Sequence, residues 1–344
     1  MAEQKPKNQD IDFTIIGQGL AGSLLAYCLL NAGKRIAIIS DGKQSASRVA
    51  AGLINPITGQ RFVLAEKTPA MLKLASEFYT AIETKLGIRC YFPTPLIRLF
   101  NNEKEKVFYE KRLLQPHYTP FFSTKPLSEQ QLVNAPFGGV IQLQAAWLDT
   151  NTLLDALADY FISHDRITHL PAQTNSQTTT IHCEGYKIKY NPLFSWLPLQ
   201  PAHGEIIHCE SKSKLAPEIT VKSKWLLPTS QNTCRIGATF EPHISEPTQQ
   251  EQSKNALLSF VSSLKKDNEF NLLSHQAGIR PATLDKQPFI GFHPHDSNHA
   301  VFNGFGSRGS LLIPWYAKLF TETLVNQSKI PAEADIQRYE SLCV

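Results

Sequence analysis

The chain has 344 residues, 42% of them hydrophobic, with 34 basic and 30 acidic side chains for a net charge of +4. That is enough apolar material for a large core and, by length, about two domains. The charge is too mild to signal a nucleic-acid or membrane partner. The six cysteines are scattered without a C-x-x-C, which predicts free thiols in a reducing compartment and neither a disulfide framework nor a metal site. The polar start MAEQKPKNQD has no apolar signal core, and no apolar run is long enough to span a bilayer, so a cytoplasmic location is expected.

Residues 12–41, DFTIIGQGLAGSLLAYCLLNAGKRIAIISD, predict strand, glycine turn, helix and strand. Gly17, Gly19 and Gly22 stand in the spacing G-x-G-x-x-G: one for the tight turn, one for close approach of a pyrophosphate, one for helix-on-strand packing. Leu20 and Ala21 open an almost wholly apolar helix whose free N–H groups and positive dipole end suit phosphates. Gly33 stops that helix. The context of strand before and helix after turns a weak pattern into a dinucleotide-binding expectation. Ser40 ends the second strand and Asp41 follows, and either could hold the ribose.

The next stretch, SASRVAAGLINPITGQRF at 45–62, is small and rich in hydroxyl groups. With the glycine fingerprint, Ser47-x-x-Ala50-Ala51-Gly52-x-x-Asn55-Pro56 resembles the flavin-dependent D-amino-acid oxidase and glycine oxidase family. The resemblance implies non-covalent FAD, because no cysteine stands in the family's covalent position. It places Ser47 and Arg48 near the diphosphate and Ala51, Gly52, Leu53 and Asn55 against the isoalloxazine ring. The alternative for Arg48 is a salt bridge.

An amphipathic helix is predicted at 66–87, a strand after a proline-rich turn near 90–100, a helix at 103–115 and a strand at 136–144. Asp149 is a candidate N-cap for a helix over Thr152 to Phe161, and Trp147 reads as core. Two short strands are expected in 165–185, split by the polar run TNSQTTT. The second ends at Cys183-Glu184-Gly185, which resembles the family strand whose glycine lies beside the adenosine half. Cys183 reads as a small apolar residue rather than a nucleophile.

Pro201 to Ile206 resembles the family's crossing into the substrate domain. His203 could lie near flavin or substrate, or be a hydrogen-bonded structural histidine. Strands at 205–209, 224–228 and 234–238 with a helix at 248–266 predict an antiparallel sheet roofing the flavin. Ala277-Gly278-Ile279-Arg280-Pro281 then matches the family's Gly-x-Arg-Pro segment. The resemblance implies that Arg280 forks onto a substrate carboxylate; a salt bridge near Asp285 is the alternative. After a strand at 300–303, Gly304-Phe305-Gly306-Ser307-Arg308-Gly309 is a second glycine turn before a helix at 310–325. The family places that helix start at the flavin's pyrimidine end, with Arg308 facing flavin or substrate.

The fold expected is α/β: a discontinuous Rossmann-like FAD-binding domain (10–65, 146–200 and 270–340) plus an α+β substrate domain with a mainly antiparallel sheet (66–145 and 201–269). The resemblance implies an oxidoreductase acting on the C–N bond of a small amino acid or a secondary amine carrying a carboxylate. Hydride would pass to flavin N5, water would hydrolyse the imine and oxygen would take the electrons. The second glycine turn is also similar to the oxidase domain of the bifunctional enzymes that build 5-methylaminomethyl-2-thiouridine in tRNA. Removal of a carboxymethyl group from a modified nucleoside is therefore one alternative, and a flavin-holding protein without turnover another. The mild charge argues against independent nucleic-acid binding, and a homodimer is left open.

Overall fold

The structure, a computed structural model, describes residues 11–42, 45–129, 131, 134–165, 167–169, 178–242, 246–264 and 269–343. The polar N-terminal decapeptide and most of the TNSQTTT run lie outside them.

Among the described residues, a six-stranded sheet is assembled from three distant pieces of chain. The fingerprint strand β1 (Phe13–Ile16) lies between β2 (Ile36–Ile39) and β9 (Thr179–His182), parallel to both. β8 (Ile167–His169) extends one side, and β16 (Asp296–Asn303) and the antiparallel β15 (Phe289–His293) extend the other. Helices α1 (Leu20–Asn31) and α7 (Gly309–Asn326) pack together on it. A helix without a polar side would be costly in water. Ten of α1's residues, from Leu20 to Leu30, are buried.

A second, seven-stranded sheet runs β14 (Phe270–Arg280), β10 (Ala202–Ser211), β13 (Thr233–Gly237), β12 (Trp225–Pro228), β11 (Ile219–Val221), β5 (Leu96–Leu99), β6 (Gly139–Gln142). It is antiparallel except where β11 meets β5. Its outer face carries Ile207, Cys209, Ile236 and Leu226 under helix α6 (Glu251–Leu264). A small sheet of β3 (Leu53–Ile54), β7 (Ala146–Leu148) and β4 (Tyr91–Pro93) joins the two halves.

The α/β class, the discontinuous nucleotide-binding half and the mainly antiparallel roof agree with the sequence reading. The differences are local. The expected strand near 90–100 is two strands, β4 and β5, broken at Thr94-Pro95, because proline has no N–H to continue a ladder. The strand expected at 234–238 is found one residue earlier, at Thr233–Gly237. β14, which mixes polar and apolar residues without a clean alternation, is an unexpected strand, and its long pairing with β10 forms one margin of the roof.

Helix α3 (Thr68–Leu86), assigned to the substrate domain from its place in the chain, buries Met71, Leu72, Ala75, Phe78, Tyr79 and Ile82 in the same core as α1 and α7. The Tyr79 hydroxyl donates to the Ser310 carbonyl at 2.8 Å. Helix α5 (Thr150–Ile162) starts where expected, with the Asp149 carboxylate accepting from the Asn151 and Thr152 N–H groups. No helix among the described residues is long and apolar enough to cross a membrane.

Candidate flavin and substrate site

Two glycine turns stand side by side at the carboxyl edge of the six-stranded sheet. One follows β1 and the other follows β16, with only β9 between, so the turns are about 10 Å apart by strand spacing. Gly17 has φ +102°, a conformation side chains disfavour, and a Cβ there would meet the Cys183 carbonyl oxygen at 2.5 Å. A Cβ at Gly22 would lie 1.9 Å from the Gly17 oxygen, so the helix could not sit this close to the strand with any other residue. Gly19 caps α1 without a side-chain bond. The Leu20 N–H donates to Ser47 Oγ at 3.0 Å, while Ala21 and Gly22 are in the first turn, where no helical carbonyl reaches back to their N–H groups. This is an anion cradle with its glycine faces open.

The second turn begins at Gly304, φ +81°. Asn303 sets it: its side-chain oxygen accepts from the Gly304 N–H at 2.7 Å and its amide donates to the Gly185 carbonyl at 3.0 Å. Gly185 thus sits against the second turn. Gly306 donates to the Pro281 carbonyl at 3.1 Å, which brings the turn beside Arg280. Gly309 opens α7, Ser307 is exposed, and Arg308 occupies the N-cap of α7 without a capping side-chain bond. The Arg308 Nε is buried with no partner, and burial lowers that guanidinium's pKa from its ordinary value.

Arg280 ends β14 on the inner face of the roof. Its Nη1 donates to the carbonyls of His203 and Thr239 at 3.3 and 3.4 Å, and no acid among the described residues forms an ion pair with it. Burial lowers its pKa too. The salt-bridge alternative is excluded, because Asp285 is taken by Arg338 at 2.8 Å. The guanidinium lies flat on Gly204, where a Cβ would come within 2.2 Å of Nη1. Arg280 and Arg308 are therefore half-buried cations on segments joined by the Gly306–Pro281 hydrogen bond, each without a counter-ion among the described residues.

Two expectations are corrected. His203 does not join the arginines: successive strand residues face opposite ways, so its ring lies on the α6 side with Nε2 2.9 Å from the Thr248 carbonyl, and only its backbone oxygen meets Arg280. Arg48 takes its salt-bridge alternative, with Nη1 2.5 Å from Asp155 of α5. Ser40 and Asp41 both stay exposed just past the end of β2 at Ile39, where Ser40 Oγ accepts from the Gly42 N–H and the Asp41 carboxylate receives Lys187 at 2.6 Å.

The segment that the resemblance places under the ring is gripped from the roof by arginines the sequence reading passed over. Arg235 of β13 donates to the Val49 and Ala50 carbonyls at 2.7 and 3.0 Å. Arg98 of β5 donates to the Gly59 carbonyl at 2.6 Å, lies 3.8 Å over the Phe62 ring and pairs with Glu105 at 3.7 Å. Between these clamps Ala51 is buried, the Gly52 carbonyl accepts from Leu148 at 3.0 Å, and Leu53 pairs with Trp147. Asn55 Oδ1 accepts from the Ile57 N–H at 3.1 Å and from the Gln142 amide. An isolated arginine in a strand gives no sequence signal of a carbonyl across the cavity.

These residues fit FAD. The anion cradle after β1 suits its diphosphate, and the second glycine turn, two strands away on the same sheet edge, carries the orphaned Arg308 Nε. Comparison with known proteins agrees. The curated relatives matched include the tRNA 5-methylaminomethyl-2-thiouridine biosynthesis bifunctional protein MnmC of Legionella pneumophila, 23% identical over 310 residues and covering 82% of this chain. The chain spans 45% of that relative's length. Glycine oxidase of Pseudomonas putida is 25% identical over 136 residues, 39% of this chain and 37% of the relative. Among solved structures, glycine oxidase from Geobacillus kaustophilus superposes with a TM-score of 0.79 at 20% identity, covering 95% of this chain and 97% of that one. Iminodiacetate oxidase from Chelativorans sp. BNC1 gives 0.76 at 17% identity, covering 95% and 98%. The family described as DAO, FAD dependent oxidoreductase, matches residues 12–323, from the first glycine turn through most of α7, and the chain belongs to it.

Proposed function

We propose that this enzyme oxidises the C–N bond of a small amino acid or secondary amine that carries a carboxylate. The observation that supports this best is Arg280: a half-buried guanidinium seated on glycine, with carbonyls behind it and no ion-paired acid among the described residues. Such a group is poised for a carboxylate from outside. FAD, when bound, supplies the acceptor for the hydride of the C–H bond next to nitrogen. The chain's own residues orient and shield. Arg280 fixes the carboxylate, and through it the angle of the neighbouring C–H bond. Arg308, its Nε N–H unpartnered, offers a second cationic donor at the start of α7. Gly204 lets Arg280 lie close against the roof, and Arg235 holds the floor segment. After the C–H bond breaks and a C=N bond forms, water adds at that carbon and the amine leaves, a step that needs no protein base.

A second reading has its own support. The match to MnmC of Legionella pneumophila favours a carboxymethylated amine on a tRNA nucleoside as the substrate. Anaerobic titration of the purified yellow protein tests both. Bleaching by glycine, sarcosine or a D-amino acid is the expected result for the first. Bleaching only by modified tRNA or its nucleoside would replace it with the second. A protein bleached by dithionite alone would overturn both.

A further inference from the structure

Thr239 stands where β13 leaves the roof, and its bonds depart from the pattern of the ladder. From Ile206 back to His203 β10 takes three steps, and from Gly237 to Glu241 the opposite chain takes four. The one extra residue is a bulge. Beyond it, His203 and Glu241 exchange both backbone bonds, at 3.1 and 3.0 Å. Exchanging pairs recur at every second residue of an antiparallel ladder, so Glu205 and Thr239 should exchange two bonds as well. They make only one between backbones, from the Thr239 N–H to the Glu205 carbonyl at 3.2 Å. The buried Glu205 N–H donates instead to Thr239 Oγ1, at 2.9 Å.

The hydroxyl thus stands in for the Thr239 carbonyl, and that carbonyl is released from the ladder. It accepts from Arg280, with Nη1 at 3.4 Å and Nη2 at 3.5 Å, so both nitrogens of the fork rest on one oxygen. The His203 carbonyl, 3.3 Å from Nη1, lies beside it. These bonds are long, and weak next to the about 2.8 Å bonds that a guanidinium makes with a carboxylate. They steady the fork without competing with a bound acid.

We propose that Thr239 is a positioning residue for the carboxylate clamp: its hydroxyl fills the ladder bond that its own carbonyl would otherwise make, and so turns that carbonyl to Arg280. The inference rests on the reading that Arg280 binds a carboxylate, and adds to it the device that aims the guanidinium. Without the hydroxyl, the buried Glu205 N–H finds an acceptor only if the Thr239 carbonyl swings back into the ladder. An unpaired buried N–H is costly, so the carbonyl swings back and the fork loses its rest. Serine keeps the oxygen, and valine keeps threonine's shape without it.

The test titrates (methylthio)acetate, a carboxylate with no C–N bond to oxidise, and its uncharged amide into the flavin-loaded protein, read from the flavin spectrum. The wild type is compared with Thr239→Val, Thr239→Ser, Arg280→Ala and the Thr239→Val, Arg280→Ala double variant. Thr239→Val is expected to raise the Kd of the acetate about tenfold, the worth of one hydrogen bond to a charged group, and to leave that of the amide unchanged. Thr239→Ser restores the wild-type value. In the Arg280→Ala background Thr239→Val adds nothing. An acetate Kd unchanged in Thr239→Val but raised in Arg280→Ala overturns the inference alone. So does an equal loss for acetate and amide, or losses that add in the double variant, since either marks a loosened fold. Equal acetate binding by wild type and Arg280→Ala removes the carboxylate reading and this inference with it. Should Thr239→Val fail to hold flavin, Thr239→Ala is read in the same way, and loss of flavin in both overturns the assignment.

Discussion

Arg280 shows how a single residue's role depends on its neighbour lacking a side chain. Gly204→Ala would put a methyl group 2.2 Å from Arg280 Nη1, so the guanidinium must swing away. The expected outcome is a protein that keeps its flavin while KM for a carboxylate substrate rises about tenfold or more, the worth of a charge-assisted hydrogen bond. Arg280→Ala should do the same, and an unchanged KM in either variant removes the assignment. The cysteines give a second prediction. Cys28, Cys90, Cys183, Cys209 and Cys234 are buried, and desolvation pushes the first two and the last to about 12, 12 and 12, Cys209 to about 11, and Cys183 upward. Only Cys343 is partly exposed. One thiol should therefore react with a disulfide reagent in the native protein and all six after denaturation; rapid native labelling of a second would show that the core opens. The Gly-x-Arg-Pro segment around Arg280 could be picked out because its motif is local. The orientation of His203 could not, because which way a strand residue faces depends on the register that β10 adopts with β13 and β14.

At the scale of elements, the strand–turn–helix units were the most legible, since hydrophobic run, glycine spacing and cap all lie within thirty-odd residues. Asp149 was recognised as a cap for that reason. Asp149→Ala should cost about 1 kcal/mol of stability, read from the denaturant midpoint. Gly19→Val tests the first turn more sharply. Gly19 has φ −75°, which valine can adopt, so the obstacle is space rather than backbone conformation. A Cβ there already lies 3.3 Å from Ser47 Oγ, and the valine methyls would enter the cradle. Purified variant without flavin is the expected outcome, and full loading would mean that the turn does not hold the phosphates. Less legible were β14, whose outward residues break the apolar pattern, and the partner of α3. An amphipathic stripe tells that a face is buried but not against what; here it is buried against α1 and α7.

For the molecule as a whole, acid sensitivity follows from two histidines. Burial lowers the pKa of His208, with the Arg235 charge adding to it, and burial and His182 lower that of His299, against the raising effect of Asp296. A histidine depressed in the folded state binds its proton more readily when unfolded. Its contribution to stability is thus full above about pH 6.5 and is lost as the pH falls below that toward the folded value. The melting temperature should drop between pH 7.5 and 5.5, and His208→Gln should drop less; an equal drop would assign the sensitivity elsewhere. The long-range assembly was the least legible level of all. Composition gave a domain count, but only the resemblance tied residues near 300 back to those near 15.

Strand β9 is the keystone between the two glycine turns, and β16, which docks on its far side, leaves the ribosome after every strand of the roof. A nascent chain that has emerged only through the roof sheet has one jaw of the nucleotide grip and nothing opposite it. Cofactor capture should thereby be deferred until β16 and α7 have followed the roof, and a chain stopped before them is expected to emerge unpigmented however well its earlier portions had folded.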